Sequence, residues 1–428
     1  MPARNKTRRG YRAAIAGAMV LLTPLIPLSP VAADDSVEQV TEYDPQSTDN
    51  LSPALKATMQ QQESLQPAVS LIMDQAVASP DSGFAGLAFE GDGLSIYWKG
   101  NLDAGMQQAV TDARKFGAVG VKAALHSKAE LEAAADEVER AMPAGATDVQ
   151  AIGVRHDGSG LTIERMPATE SASLRSSASR FGRSFQTADE TLKQLNLDVP
   201  VQVTTASRRS KLLSCVGACD RLDDASPWNG GTRTITPDAP KSDYGCTTGF
   251  GVTKGSTTYV LTAAHCATSG NHVTDYQGET IGGVYAENWQ YDLLLLNARG
   301  WYKIFDGSTT TANKKDVVAW GYHSVGEYLC HSGSRSGTKC GLRTESGNYR
   351  VHGCDSDGDC FYVEGLIKTV QVDGATAAIN GDSGGPVFSL SGSGVRAKGI
   401  VSAGGGTEMY FQDWADVIRL YGAYPRTP

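Results

Sequence analysis

Gly381-Asp382-Ser383-Gly384-Gly385-Pro386 is the stretch whose reading decides the fold. A serine hydroxyl is a poor nucleophile at neutral pH. A catalytic serine therefore needs a base beside it and hydrogen-bond donors facing the oxyanion it creates. Gly381 has no side chain, which lets its backbone N–H point with that of Ser383 at one spot, and Gly384 and Gly385 let a carbonyl come close. Taken alone, the same residues also make an ordinary turn.

Two stretches upstream answer this one. Leu261-Thr262-Ala263-Ala264-His265-Cys266 follows the strand-like Thr257-Thr258-Tyr259-Val260, so His265 stands where a strand runs out. Tyr291-Asp292-Leu293-Leu294-Leu295-Leu296 sets one carboxylate at the head of an apolar run, where it can be buried against a ring nitrogen of the histidine. A histidine beside a cysteine can be structural, and an aspartate before a strand can be a turn residue. In the order His, Asp, Ser they supply base, orienting group, nucleophile and oxyanion donors, the set that acyl transfer requires.

These two signature stretches resemble those of the chymotrypsin-fold serine proteases. Further motifs resemble the secreted bacterial branch, of the streptogrisin and alpha-lytic protease type: Cys246-Thr247-Thr248-Gly249-Phe250, Cys330-His331-Ser332-Gly333 leading to Cys340-Gly341, Gly365-Leu366-Ile367-Lys368-Thr369, and Tyr410-Phe411-Gln412. The resemblance covers about residues 229–428. It implies an all-β protease domain of two antiparallel six-stranded β-barrels, preceded by a small α+β pro-region. It implies catalysis by His265, Asp292 and Ser383, with an oxyanion hole formed by the N–H groups of Gly381 and Ser383. It also implies disulfides joining Cys246 to Cys266 and Cys330 to Cys340. No cofactor is called for, and protein or peptide substrates are expected. A catalytically silent homologue acting as a secreted binding protein is the alternative.

The chain has 428 residues, long enough for two or three domains, and its net charge of −9 argues against a nucleic-acid binder, which needs a basic face. Residues 1–33 read as a signal peptide: Arg4, Lys6, Arg8, Arg9 and Arg12 precede the apolar run from Ala13 to Leu28, and Val31-Ala32-Ala33 offers small residues for cleavage. Pro24 and Pro27 break the run, which tells against a membrane anchor, so the product is expected outside the cell and off the membrane. All eight cysteines lie between Cys215 and Cys360, and an even count in an exported chain reads as disulfides. By elimination and proximity, Cys215 pairs with Cys219 and Cys354 with Cys360. Zinc is the other reading for Cys215 and Cys219, but no second pair stands at zinc spacing, so no metal is expected there. Asp355-Ser356-Asp357-Gly358-Asp359 faintly resembles the start of a calcium loop and lacks the later bidentate glutamate.

Residues 34–205 are read as the pro-region and 206–428 as the protease domain. Residues 34 to about 80 are polar, a tether with one helix around Leu65 to Ala76. From Phe84 the chain forms a hairpin to Lys99, a helix near Met106 to Phe116, a strand near Val119 to Leu125, a helix from Lys128 to Met142 and a second hairpin from Val149 to Met166. A helix across Thr187 to Leu195 and a strand from Val199 to Thr204 follow. Ala206 to Lys211 looks like an exposed, cleavable linker. The resemblance implies that this cysteine-free unit assists folding and blocks the site until it is removed. An independent binding domain is the competing view. The processed enzyme is expected to act as a monomer.

The chain departs from the resemblance at two places. The bacterial enzymes carry an arginine after the first cysteine of the loop corresponding to Cys330 to Cys340, and here that position is His331. A buried Asp382 without a cation is costly, so a protonated His331 is expected to contact it, with Arg335 as the nearest substitute. The cysteine before the nucleophile loop is also missing, along with its partner after Ser402. Ala377 and Ala378 stand at the approximate pocket floor, and Ser402-Ala403-Gly404 forms a wall that pairs with an extended substrate. An apolar or unselective pocket follows, lined in part by Met409, unless Glu408 turns inward to attract Lys or Arg.

Overall fold

The computed structural model describes residues 44–428, apart from 144–145, 181–182, 208, 213–214, 217–220, 222, 238–243, 346 and 355–359. The expected signal peptide and the acidic loop from Asp355 to Asp359 lie outside the described residues. So do the side-chain pairings expected of Cys215 with Cys219 and of Cys354 with Cys360. The other two disulfides are present, Cys246 with Cys266 and Cys330 with Cys340.

Leu293–Leu296 shows why the first β unit forms. Four consecutive leucines cannot share one face of a strand, so the run is stable only where both faces are buried. The strand lies between Thr257–Thr262 and Thr280–Asn288 in a nine-stranded sheet. Leu293 and Leu295 enter one apolar cluster with Phe250 and Trp414, while Leu294 and Leu296 enter another with Trp228 and Ile281. Asp292 at the head of this strand is thereby carried into the interior.

The second β unit contains Tyr328–Gly333, Gly337–Thr344, Cys360–Gln371, Pro386–Ser391, Gly394–Gly405 and Glu408–Asp413. Its ladder does not stop at six strands. Tyr349–Cys354 pairs with Val149–Val154, setting Tyr349 opposite Gly153 and Val351 opposite Ala151, so the second N-terminal hairpin extends the sheet to fourteen strands. In place of two delimited six-stranded barrels, the described residues form two β units whose ladders run on into neighbouring strands, in sheets of nine and fourteen strands. Most pairings are antiparallel. Trp228–Gly230 against Gly300–Phe305 and Lys314–Trp320 against Gly394–Gly405 are parallel.

The N-terminal α+β part follows the expected order: Phe84–Glu90 with Gly93–Trp98, the helix Ala104–Ala113, the strand Val119–Ala123, the helix Lys128–Ala141, and the hairpin Val149–Val154 with Leu161–Arg165. Ala188–Gln194 and Val201–Thr205 complete it. Three expectations need correction. Residues 44–78 are not a tether, because they hold two helices, Pro53–Ser64 and Gln66–Ala78, and Met59 is buried in the same cluster as Phe250 and Trp414. Each helix has a proline in its first turn, where the missing N–H costs nothing. Between Met166 and Thr187, where no element was expected, the chain forms a further helix, Ala168–Arg180. The supposed linker is not exposed at its end: Ser210 is buried, its N–H donates to Gln150 Oε1 at 3.1 Å, and Lys211–Leu212 forms a strand.

Candidate active site

His265 lies in a short 3-10 turn, Ala264–Cys266, directly after the strand Thr257–Thr262. The Cys246–Cys266 bond ties that turn to the neighbouring strand Tyr244–Thr247. Asp292, at φ 51°, uses the left-handed conformation that aspartate tolerates better than most residues. This turn aims its carboxylate at His265. Oδ1 accepts the His265 backbone N–H at 2.9 Å, and both oxygens lie within 2.9 Å of Nδ1. The Ser402 hydroxyl donates to Oδ2 as well. A carboxylate can only accept here, so Nδ1 carries a hydrogen and Nε2 is left as the basic nitrogen. Nε2 has no partner among the described residues.

Ser383 is brought up from the second β unit. Its hydroxyl donates to the Ser402 carbonyl at 3.3 Å, and its own carbonyl accepts the Thr247 N–H at 2.8 Å. Ser402 thus touches both ends of the constellation, with its hydroxyl on Asp292 and its carbonyl on Ser383. Sequence reasoning assigned Ser402 to the pocket wall and missed this bridging position. Gly381 is held at φ 98° with its carbonyl accepting from Thr247 Oγ1 at 2.7 Å and from Ser334 Oγ at 3.2 Å. At Gly384 a Cβ would sit 2.1 Å from Thr262 Oγ1 and 2.4 Å from the Thr247 carbonyl, so no larger residue fits.

Asp382 is fully buried, and the structure corrects its expected partner. Its Oδ1 accepts the backbone N–H groups of Arg335 and Ser336, each at 3.0 Å, and Oδ2 accepts that of Ile379 at 2.9 Å. Gly333 makes the approach possible, because a Cβ there would lie 2.1 Å from Oδ1. His331 instead directs Nε2 at the Ala377 carbonyl, 2.8 Å away. A carbonyl only accepts, so Nε2 carries the hydrogen; Nδ1 has no partner among the described residues. Burial pushes the His331 pKa down, and the nearby Asp382 charge only partly offsets this. The ring is therefore neutral at working pH and is not the cation that was expected.

The cation is Arg221, which sequence reasoning missed. It is buried and donates to Ser332 Oγ at 2.6 Å, to the Gly307 carbonyl at 2.9 Å and to the Ser308 carbonyl at 3.2 Å. Burial lowers its pKa to about 10, against the raising field of Asp382, so it remains charged at neutral pH. Three backbone donors and the field of one buried guanidinium together offset the desolvation of Asp382. A lone arginine in an acidic stretch carries no sequence signal that would connect it to Asp382, more than a hundred and fifty positions away.

Ala377 and Ala378 are buried in a cluster with Val401, Met409, Leu329 and Phe411. Gly404 lies opposite Met409 in the sheet, and Ala403 opposite Tyr410. Glu408 does not stand free, for its carboxylate is 2.9 Å from Lys368 Nζ. Cys246, His265 and Cys266 lie close enough to suggest a metal site, but the two sulfurs are bonded to each other and offer no thiolate.

No family model matches this chain. It is 32% identical over 193 residues to streptogrisin-D of Streptomyces griseus, a match covering 42% of this chain and 44% of that protein. It is 30% identical over 196 residues to streptogrisin-C of the same organism, covering 41% of this chain and 37% of that protein. The chain thus spans less than half the length of these curated relatives. Among solved structures, Thermobifida fusca protease A shares 25% identity and a TM-score of 0.37, covering 47% of this chain and 98% of that one. The similarity to the streptogrisins, with the motifs already described, supports a bacterial chymotrypsin-fold serine protease.

Proposed function

We propose that this chain is a secreted serine endopeptidase, made as a proenzyme, that hydrolyses peptide bonds through an acyl-enzyme. The carrying observation is the hydrogen-bonded line from Asp292 to His265, with Ser402 linking Asp292 to Ser383. Ser383 attacks the scissile carbonyl while His265 Nε2 takes its proton. Asp292 holds the imidazole in the required tautomer and stabilises the imidazolium, and the N–H groups of Gly381 and Ser383 face the oxyanion. His265 then protonates the leaving amine, and water releases the acyl group by the reverse sequence.

Residues 34–205 act in this reading as a folding aid and inhibitor. Support comes from the shared fourteen-stranded sheet and from Met59, which fills the same apolar cluster as Phe250 and Leu293. The apolar setting of Ala377, Ala378 and Met409 supports a preference for apolar residues on the acyl side of the cut bond. Among the described residues no helix is long and apolar enough to cross a membrane. Hydrolysis of a casein substrate tests the activity: turnover lost in both Ser383→Ala and His265→Ala supports it, and unchanged turnover in either variant removes it.

A further inference from the structure

Residues 44–48 touch both of the devices that hold Asp382. The Gln46 side-chain amide donates to the Ser336 carbonyl at 3.0 Å, and the N–H of that same Ser336 donates to Asp382 Oδ1 at 3.0 Å. The Ser47 and Thr48 hydroxyls each donate to Asp306 Oδ2 at 2.8 Å, and the Thr48 N–H lies 3.1 Å from both carboxylate oxygens. Asp306 is fully buried, and among the described residues its carboxylate has these donors alone. It opens the loop whose next two carbonyls, those of Gly307 and Ser308, accept from Arg221 at 2.9 and 3.2 Å. Asp44 fastens the same loop, its Oδ2 accepting the Ser308 N–H at 2.6 Å.

We infer that residues 44–66 stay with the protease as a strap in the active enzyme, and that Gln46, Ser47 and Thr48 position the nucleophile loop through Ser336, Asp306 and Arg221. The inference rests on the endopeptidase reading and departs from a pro-region that leaves as one piece. Asp382 stands between Gly381 and Ser383, the two proposed oxyanion donors. A shift of its carboxylate therefore turns those N–H groups away from the charge that develops during attack.

Anchors further along hold the strap in place. The Gln62 side-chain amide donates to the Gly326 carbonyl and accepts the Tyr328 N–H, both at 2.8 Å, as a neighbouring strand would. Glu63 takes two bonds from Arg396, at 2.8 and 2.9 Å. Met59 is buried in the cluster of Phe250 and Trp414. Withdrawing the strap would leave Asp306 without its donors, strip Gly326 and Tyr328 of theirs and open a gap at Met59, three losses a folded interior resists. The hairpin Val149–Val154 with Leu161–Arg165 differs. It lies towards the end of the fourteen-stranded sheet, and its departure exposes only the edge of Tyr349–Cys354, where water can take the freed backbone groups.

The test starts from the full chain, processed and purified under native conditions, with working sites counted by fluorophosphonate titration of Ser383. Mass measurement after denaturation is expected to find residues 44–66 in equal molar amount with the labelled serine. Ser47→Ala combined with Thr48→Val should lower kcat per titrated site about tenfold with KM unchanged, because the lost support acts only in the transition state. Thr48→Ser alone, which keeps the hydroxyl, should hold most of the activity. A strap that serves folding alone would reduce the number of titrated sites and leave kcat per site as it was, which overturns the positioning role. Full turnover of casein by a labelled enzyme that contains none of residues 44–66 overturns the whole inference and leaves the endopeptidase reading standing. A chain that neither labels nor turns over casein overturns both.

Discussion

Asp382 shows how a buried charge is held when the expected cation is neutral. Its carboxylate takes three backbone N–H groups, and Arg221 supplies the positive field from behind Ser332. His331→Gln is therefore expected to leave the alkaline limb of the activity profile in place, whereas Arg221→Met should lower kcat by at least about tenfold and destabilise the chain by about 3 kcal/mol. A lost alkaline limb in His331→Gln, read from kcat against pH, would restore the discarded assignment. Acid acts through another histidine. His352 is buried, neither ring nitrogen has a partner among the described residues, and desolvation lowers its pKa to about 4 from the ordinary 6.5. As pH falls the unfolded chain takes up this proton first, so stability is full above about pH 6.5 and declines down to about pH 4. The loss amounts to about 3 kcal/mol, and His352→Phe should flatten that part of a melting-temperature profile. His265, Asp292 and Ser383 were legible because each sits in a local motif whose chemistry is written in its neighbours. Arg221 was not, because its role depends on a fold that brings Gly307, Ser332 and Asp382 around it.

At the scale of elements, a buried ion pair joins the first helical segments to the second β unit. Lys398 is fully buried and donates to Glu327 and to Gln66, each at 2.8 Å, and to the Tyr322 carbonyl at 2.7 Å. Burial lowers the Lys398 pKa and raises that of Glu327, so each holds its charge mainly through the other. Lys398→Met leaves an unpaired carboxylate inside and is expected to cost 3–5 kcal/mol, roughly, in chemical denaturation. Adding Glu327→Leu should recover most of that loss, and a double variant as weak as the single one would show that packing rather than charge is at issue. Strands and hairpins were legible because their alternation and glycine turns are local. The helices Pro53–Ser64 and Ala168–Arg180 were not, since few apolar residues mark their faces: the first buries Met59 and Gln62, the second Ala178.

Across the whole molecule, the N-terminal part and the two β units share sheets, apolar clusters and charge pairs. Arg350, on the hairpin strand Tyr349–Cys354, meets Glu139 of the helix Lys128–Ala141 at 2.8 Å and pairs with Asp136 of the same helix. Sheets built from contacts distant in sequence fold slowly, and under the proposed folding role the edge of Val149–Val154 would shorten that search. Removing residues 34–205 is expected to reduce recovery of active enzyme at least about tenfold, and supplying them as a separate chain should restore it. Equal recovery without them would end the folding role. The cysteine distribution led to an expected division of the chain, whereas the continuity of its sheets was not legible, because strand pairing between Gly153 and Tyr349 leaves no mark in either segment. The central claim remains that Ser383 is a nucleophile activated by His265, and covalent labelling of the processed chain with a fluorophosphonate, followed by mass mapping, tests it most directly. The account predicts one phosphonate on Ser383, abolished by His265→Ala and unaffected by His331→Gln. A folded, processed chain that takes no label on Ser383 would contradict it.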